Sequence, residues 1–318
     1  MNKKYDIHPD FAKFPVVTLT FNAALLWLIN TAMRAHCFFV RRSLKLRVDD
    51  HRITRVDGSQ LKVFTIAPHH PATRVPAPAL IYYHGGGFGI TYANLHLKSC
   101  ERYANETGCI LVFVPYRLAP KHPFPAGFDD CYASLEWVAT NAESLGIDAN
   151  RIAVGGDSAG GALAAGVAQK SRDEKLVKLC AQLLIYPVLD NTCSTPSATE
   201  FIDVPIWNAR SNRHMWDMYL SRYKDGTTPA YAAPGHGELH HLPMTYVETA
   251  EFDPLRDEGL SYVAALQRQG IDVTINETKQ TVHGYDAMES SEISKHSMLA
   301  RITFLNQAFS ASDNYRAT

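Results

Sequence analysis

The stretch GGDSAGG, Gly155 to Gly161, contains the residue best suited to nucleophilic chemistry, Ser158. It follows the strand-like run RIAV and precedes the alanine-rich, helix-like run ALAAGVAQK. A serine on so tight a strand-to-helix turn projects its hydroxyl oxygen from the backbone, and small residues two before and two after it leave room for the bend. Glycine-rich turns with an incidental serine share this pattern, so the motif needs partners elsewhere in the chain.

A serine hydroxyl is a poor nucleophile at neutral pH unless a histidine accepts its proton and a carboxylate orients that histidine. Where the serine occupies such a turn, the acid and then the histidine follow it, each in a loop after a later strand. Asp253 in EFDPLRDEG follows the apolar run MTYVETA, and His283 in TVHGYD follows DVTINET. Order and placement therefore predict a triad of Ser158, Asp253 and His283.

Four other acidic residues are explained more simply by the turns and helices around them. Asp257 and Glu258 fall in the first turn of the next expected helix, where acids stabilise the helix N-terminus. Asp190 enters a turn-rich stretch. The bend at the serine should direct Asp157 away from the pocket. We expect structural roles for all four.

The remaining ligand-type residues do not predict a metal or cofactor site. His236, His240 and His241 in HGELHH have a spacing that could bind zinc on a helix, but nearby proline and glycine predict a loop. The six cysteines are scattered without a close CxxC spacing, which favours reduced thiols. We therefore expect no metal, no organic cofactor and a cytoplasmic location.

The stretch HGGG, His84 to Gly87, follows the strand-like run ALIYY. Serine attack on a carbonyl creates an oxyanion, and loss of one prepositioned N–H donor can cost roughly 3 kcal/mol of barrier stabilisation. An HGGG segment after a strand is a typical donor loop, and the residue after the nucleophile adds another N–H. We predict that Gly85, Gly86 and Ala159 are the donors. No GK[ST] or GxGxxG pattern follows, so a phosphate cradle is not favoured.

The elements that position these residues follow from the hydrophobic pattern. From Arg41 to Ala67, two alternating segments separated by DGSQ predict a strand hairpin at a sheet edge. Compact apolar runs then alternate with longer stretches of helical period. Uninterrupted apolar strands need cover on both faces, which right-handed crossover helices supply. The chain is therefore an α/β protein with a mostly parallel sheet and helices on both faces.

Two regions fall outside this alternation. No charged residue occurs between Phe14 and Met33, a length that could span a bilayer, but polar residues interrupt the stretch and no small-residue cleavage site follows. We expect a helix packed on the protein's own surface or over a pocket. Between Tyr186 and Leu242 no clear strand is found, which predicts an insertion. Together the two regions could form a lid over the carboxyl ends of the strands.

Bulk composition narrows the function classes. The 318 residues, 46% apolar and 20% charged, predict one large core. With 31 basic and 32 acidic side chains, no global field would hold the protein to nucleic acid or an anionic membrane. We expect no nucleic-acid partner. Net charge does not favour membrane contact, but the apolar N-terminal stretch leaves contact with a membrane surface open, and a homodimer is also left open.

These motifs together resemble the bacterial hormone-sensitive-lipase family of α/β-hydrolase esterases. The resemblance rests on HGGGF, PYRLAPKHPFPA, GGDSAGG, YPVLD, EFDPLRDEG and HGY, which occur in the family's order over about two hundred residues. It implies an eight-stranded, mostly parallel sheet in a single domain, residues 1–318, with a helical cap from about 1–40 and about 191–235. The family usually has an aspartate before YRLAPE and a glutamate at its end, where this chain has Pro115 and Lys121.

The resemblance implies a serine carboxylesterase that hydrolyses small-molecule esters with short to medium acyl chains. Four aromatic residues could line an apolar pocket, although each is more simply explained by packing: Phe88, Trp207, Trp216 and Tyr219. Amide or peptide hydrolysis by the same triad is one alternative. Another is a non-catalytic binding protein like the gibberellin receptors of this family, which lack the histidine that His283 supplies here.

Overall fold

The computed structural model describes residues 4–69, 76–223 and 226–314. The strands are β1 Arg47–Thr54, β2 Gln60–Ala67, β3 Ala77–Tyr83, β4 Ile110–Val114, β5 Ile147–Asp157, β6 Ala181–Ile185, β7 Met244–Phe252 and β8 Val273–Val282. The α-helices are α1 Ala23–Arg42, α2 Asn94–Thr107, α3 Ala126–Leu145, α4 Ala159–Asp173, α5 Pro196–Glu200, α6 Ala209–Tyr219, α7 Arg256–Arg268 and α8 Glu292–Asn314.

The strands form one eight-stranded sheet in the order β1, β2, β4, β3, β5, β6, β7, β8. β1 pairs with β2 as an antiparallel hairpin at the edge, and β2 pairs antiparallel with β4. All later neighbours are parallel. The predicted edge hairpin and mostly parallel sheet are both confirmed.

Each face of the sheet carries its own apolar core. On β3, Ile81 and Tyr83 belong to the core that includes residues of α3, α4 and α7. Leu80 and Tyr82 belong to the opposite core, which includes residues of α2 and α8. Side chains alternate along a strand, so an apolar strand such as β3 needs cover on both faces. The helices therefore fix the sheet from both sides.

The carboxyl ends of the parallel strands gather the sequence-predicted site residues. Ser158 follows β5, Asp253 follows β7 and His283 follows β8. The HGGG segment follows β3, the neighbour of β5. Parallel strands end at a common edge, which is where open α/β sheets place their sites.

The N-terminal region and the β6–β7 connection contact each other beside this edge. The N–H of Ile206 donates to the carbonyl of Pro15 at 2.9 Å, and the Leu19 N–H donates to Ser211 Oγ at 3.0 Å. The connection contains α5 and α6 and no strand among its described residues, as the sequence predicted. Residues 1–3, 70–75, 224–225 and 315–318 of the predicted domain and cap lie outside the described residues.

α1 begins at Ala23 and continues to Arg42, well beyond the uncharged stretch. The expected packing on the protein's own surface is limited, because only Leu26, Asn30 and Cys37 of this helix are buried. By length and composition, α1 is the one helix among the described residues that could cross a membrane.

Candidate active site

Ser158 lies on a strained turn between β5 and α4. Its backbone has φ 55° and ψ −120°, and non-glycine residues seldom adopt a positive φ. Gly160 permits the turn, because a Cβ added there would lie 1.9 Å from the carbonyl oxygen of Tyr83. The N–H of Ser158 donates to the carbonyl of Ile185 at 2.8 Å, so β6 helps to hold the turn. Strain maintained by its surroundings in this way is common at functional sites.

A continuous hydrogen-bonded chain joins Ser158, His283 and Asp253. His283 Nε2 lies 2.9 Å from Ser158 Oγ, and His283 Nδ1 lies 2.7 Å from Asp253 Oδ2. Asp253 is fully buried, and its other oxygen accepts the N–H of Leu255 at 3.0 Å. The structure thus brings together the three residues that sequence order selected. A histidine so placed can take the proton of a serine hydroxyl.

The imidazole of His283 packs against two aromatic rings. The ring centroids of Tyr186 and Trp207 lie 4.6 Å and 5.9 Å from that of His283. The Tyr186 hydroxyl donates to Asp286 at 2.6 Å, and Arg301 donates to the same carboxylate at 2.8 Å. The sequence analysis did not predict this support, because Tyr186 and Arg301 are far apart along the chain. No sequence motif indicates that the two side chains share a partner.

Arg301 also forms a buried ion pair with Glu248. The two side chains are 1% and 0% exposed, and Arg301 Nε lies 3.0 Å from Glu248 Oε2. The hydroxyls of Tyr246 and Tyr285 donate to Glu248 at 2.9 Å and 2.8 Å. A buried charge pair requires such additional hydrogen bonds to offset its desolvation. The pair connects α8 to β7 close to the site.

Four backbone N–H groups, those of the three glycines of the HGGG segment and that of Ala159, are in two different situations. The N–H of Gly85 donates to Asp157 Oδ1 at 3.1 Å. The N–H groups of Gly86, Gly87 and Ala159 have no acceptor among the residues that the structure describes. The geometry therefore differs from the sequence expectation at Gly85, whose donor is engaged because the Asp157 carboxylate lies beneath it. Gly86 and Ala159 keep donors without an acceptor among the described residues, and Ala159 directly follows the serine.

Asp157 is the centre of a buried polar network under this segment. It accepts the Tyr82 hydroxyl at 2.8 Å, and its second oxygen lies 3.2 Å from His96 Nε2. Although burial raises the pKa of Asp157, the charge and hydrogen bond of His96 lower it to about 2. The carboxylate of Asp157 correspondingly raises the pKa of His96 against the effect of burial. The side chain thus holds the HGGG segment, a role that the sequence did not specify.

His84, the first residue of this segment, is kept neutral. Burial and the nearby charge of His96 lower the pKa of His84 to about 3. Its ring stacks on Tyr116 with centroids 4.4 Å apart, and the Tyr116 hydroxyl donates to the His84 carbonyl at 2.7 Å. Its Nδ1 lies 2.7 Å from the carbonyl oxygen of Gly85, which assigns the ring proton to Nδ1. His84 therefore supports the segment by packing.

The four predicted pocket aromatics separate into two groups. Trp207 lies against His283, as described above. Phe88 stacks on Tyr219 with centroids 3.7 Å apart, and Trp216 lies 6.1 Å from Phe88. All four side chains are at most 4% exposed. Among these four aromatic residues, Trp207 is the one whose ring lies against the ring of His283.

The other acids and histidines have partners outside the triad. Asp257 accepts the N–H of Ser197 at 2.8 Å, and Glu258 accepts the N–H of Leu189 at 2.6 Å. His236 Nε2 lies 2.9 Å from Asp190 Oδ1. Within residues 4–69, 76–223 and 226–314, no group of three or more His, Cys, Asp or Glu side chains is placed to hold a metal ion.

Several known proteins are similar to this chain. A family profile described as "alpha/beta hydrolase fold" matches residues 80–287, which include the HGGG segment, Ser158, Asp253 and His283. The chain belongs to the α/β-hydrolase family. Carboxylesterase NlhH of Mycobacterium tuberculosis is 42% identical over 248 residues, 76% of each chain.

Two solved structures are similar over nearly the whole chain. Bacterial Heroin Esterase has a TM-score of 0.84 at 33% identity and covers 96% of this chain and 98% of its own. Esterase LipW from Mycobacterium marinum has a TM-score of 0.86 at 32% identity and covers 96% of both chains. This α/β-hydrolase is a carboxylic-ester hydrolase, and the alternative of a non-catalytic binding protein is set aside.

Proposed function

We propose that this ester hydrolase works through an acyl-enzyme, with Ser158 as nucleophile, His283 as proton carrier and Asp253 as the carboxylate that orients the histidine. The observation that carries the proposal is the 2.9 Å contact between Ser158 Oγ and His283 Nε2, continued by the 2.7 Å contact to Asp253. Ser158 Oγ attacks the ester carbonyl while its proton passes to His283 Nε2. That proton then protonates the leaving alcohol. Water attacks the acyl-enzyme by the same route and releases the acid.

The oxyanion formed in each attack is stabilised by the N–H groups of Gly86 and Ala159, and Gly87 supplies a third candidate donor. Support comes from their free N–H groups and from the engagement of Gly85 by Asp157. Donors already fixed by the fold need no reorganisation when charge develops, which is why they stabilise the transition state effectively. In this proposal Gly85 positions the HGGG segment, and the adjacent Gly86 binds the oxyanion.

The preferred esters carry short to medium acyl chains. Bulky side chains stand close to the donor loop: a Cβ added at Gly87 would lie 2.9 Å from Trp207 and 3.1 Å from Phe21. A Cβ added at Gly89 would lie 3.0 Å from Met218. Buried side chains this close to the reacting centre limit the length of chain that fits beside it.

Residues of about 1–40 and about 191–235 form a cap on a single hydrolase domain. The proposal is supported by the contacts between the two segments, including Asn208 Nδ2 donating to the Val17 carbonyl at 2.8 Å. The rings of Phe21 and Trp207 also meet at 6.2 Å, next to His283. The cap thus supplies a wall of the substrate site from both of its segments.

The test is hydrolysis of nitrophenyl esters of increasing acyl length, and of a matching anilide, by the wild type, Ser158→Ala and the exposed control Ser144→Ala. We expect Ser158→Ala to lose turnover by about 10³-fold or more, with activity highest on short to medium chains and the control unchanged. Equal turnover by Ser158→Ala would reject the triad. A maximum at long chains would reject the acyl preference, and anilide turnover above ester turnover would favour the amidase alternative.

A further inference from the structure

α1 turns an apolar face away from the rest of the protein. Its buried side chains lie on one side of the helix: Leu26, Asn30 and Cys37. With about 100° between successive residues, the opposite side carries Leu25, Leu28, Ala32, Ala35 and Phe39. Leu28 and Phe39 are 59% and 68% exposed. A contiguous apolar face of this kind indicates an interaction surface.

The helix is nevertheless tied to the body of the protein. Asn30 Nδ2 donates to the Gly89 carbonyl at 2.9 Å, and Asn30 Oδ1 accepts the N–H of Thr91 at 2.8 Å. Cys37 Sγ lies 3.4 Å from the Tyr92 carbonyl. Crossing a bilayer would break these buried hydrogen bonds, whereas lying along its surface leaves them intact. The contacts therefore favour an interfacial helix over a spanning one.

A cavity of about 550 Å³ lies between α1 and the segment 115–122. Its ionisable lining is basic throughout, with Arg34, Arg117, Lys121 and His122 and no acidic side chain among the described residues that line it. Arg117 lies 2.9 Å from Asp130, which neutralises it. No carboxylate among the described residues forms an ion pair with Arg34 or Lys121. These two cations are available to an external anion.

One titratable side chain in this cavity is affected by its cations. Burial, followed by the charges of Lys121 and Arg117, lowers the pKa of His122, which also lines the cavity. The positive charges therefore act on the interior of the cavity.

The basic surface continues along α1. A neighbouring cleft of about 420 Å³ is lined by Arg34, Arg41, Arg52 and Lys62. Its one acidic lining residue is Asp50, which pairs with Arg41 at 2.6 Å. The helix sequence itself contains three arginines and no acid. An exposed apolar face thus runs beside a surface on which basic side chains outnumber acidic ones.

We propose that α1 docks this enzyme on an anionic lipid surface, with its apolar face among the acyl chains and Arg34 and Lys121 on the lipid phosphates. An amphipathic helix with basic flanks binds such an interface through buried apolar area plus attraction to anionic head groups. The proposal goes beyond ester hydrolysis. Net charge alone did not favour membrane contact, because it does not show which α1 side chains the fold leaves exposed. The proposal takes up the membrane-surface contact that the apolar N-terminal stretch left open.

The test is flotation of the full-length protein with phosphatidylcholine vesicles, with and without about 30% phosphatidylglycerol. One variant, Leu28→Ser/Phe39→Ser, removes apolar area, and a second, Arg34→Glu/Lys121→Glu, reverses the charge. The matched controls alter exposed residues elsewhere: Leu299→Ser on α8 and Lys279→Glu on β8. Thermal unfolding midpoints check that each variant is folded.

We expect the wild type and both controls to bind the anionic vesicles about tenfold more strongly than the neutral ones. The apolar variant should lose about tenfold in binding to anionic vesicles, and the charge variant should lose the preference for them. Failure of the wild type to float with anionic vesicles would overturn the proposal. So would unchanged binding by both folded variants. A wild-type dimer that Leu28→Ser/Phe39→Ser dissociates in light scattering would assign the face to a second copy instead.

Discussion

Asp157 Oδ1 accepts the backbone N–H of Gly85 at 3.1 Å, so the residue before the proposed nucleophile holds the segment proposed to bind the oxyanion. The same oxygen accepts the Tyr82 hydroxyl at 2.8 Å, and the other faces His96. One buried carboxylate thus connects the end of β5 to the end of β3. Because this carboxylate is fixed by the fold, the distance between Ser158 and the HGGG segment is fixed as well.

Replacement of Asp157 tests this positioning role. Asp157→Ala removes both acceptors, and we expect kcat to fall by roughly 10- to 100-fold with a smaller change in KM, because a displaced donor weakens transition-state binding most. Asp157→Asn keeps one oxygen for Gly85 and Tyr82 and should retain most activity. Steady-state kinetics on a nitrophenyl ester measure both. Wild-type kcat in a folded Asp157→Ala protein would contradict the prediction.

Gly86 is expected to resist any side chain. Its φ of 113° lies in a region that favours glycine, and an added Cβ would lie 2.4 Å from the carbonyl oxygen of Ile90. We expect Gly86→Ala to lower kcat by about 100-fold and also to lower the thermal midpoint, since both the loop backbone and its donor must shift. Gly58→Ala is the matched control, with φ 80° and no atom within 4 Å of the added Cβ. Equal kcat values for the two variants would argue against a catalytic role for Gly86.

Removal of one partner of the buried Arg301–Glu248 ion pair should lower the free energy of unfolding strongly. Arg301→Met leaves Glu248 buried without its charge partner, and we expect a loss of about 3–5 kcal/mol in the free energy of unfolding. Adding Glu248→Gln removes the unpaired charge and should restore part of the loss. Urea unfolding of the single and double variants measures the coupling. Strictly additive losses would show that the two side chains act independently.

His84 should make the protein sensitive to acid. Its pKa is about 3 in the folded protein and about 6.5 in the unfolded chain, so the unfolded state takes up a proton first as pH falls. Stability is therefore lost as pH falls from about 6.5 towards 3. We expect the decrease in the free energy of unfolding between pH 7 and pH 4.5 to be about 2 kcal/mol smaller in His84→Phe. In the exposed control His240→Phe, the free energy of unfolding should fall between pH 7 and pH 4.5 by as much as in the wild type. If it falls by as much in His84→Phe as well, His84 is not the source of the acid sensitivity.

The sequence by itself determined the mostly parallel sheet, the order of its strands along the chain and the three residues that we propose as the triad. Apolar runs of strand length and glycine-rich turns are signals in the local sequence. GGDSAGG and HGGG could therefore be recognised without knowledge of what they contact. Asp253 and His283 were predicted from their order after the serine, because each follows a later strand-like run. The hairpin of β1 and β2 followed from alternation in the same way.

Only the tertiary structure decided which polar groups meet and which apolar groups stay exposed. Gly85 was expected to offer its N–H to an oxyanion, but the donor is engaged by Asp157, and no local pattern encodes that contact. Arg301 supports His283 through Asp286 and Tyr186, three residues brought together from separate elements. Leu28 and Phe39 of α1 are as apolar as core residues and are nevertheless exposed. Hydrophobicity is a property of the residue, whereas burial depends on how every other element packs against it.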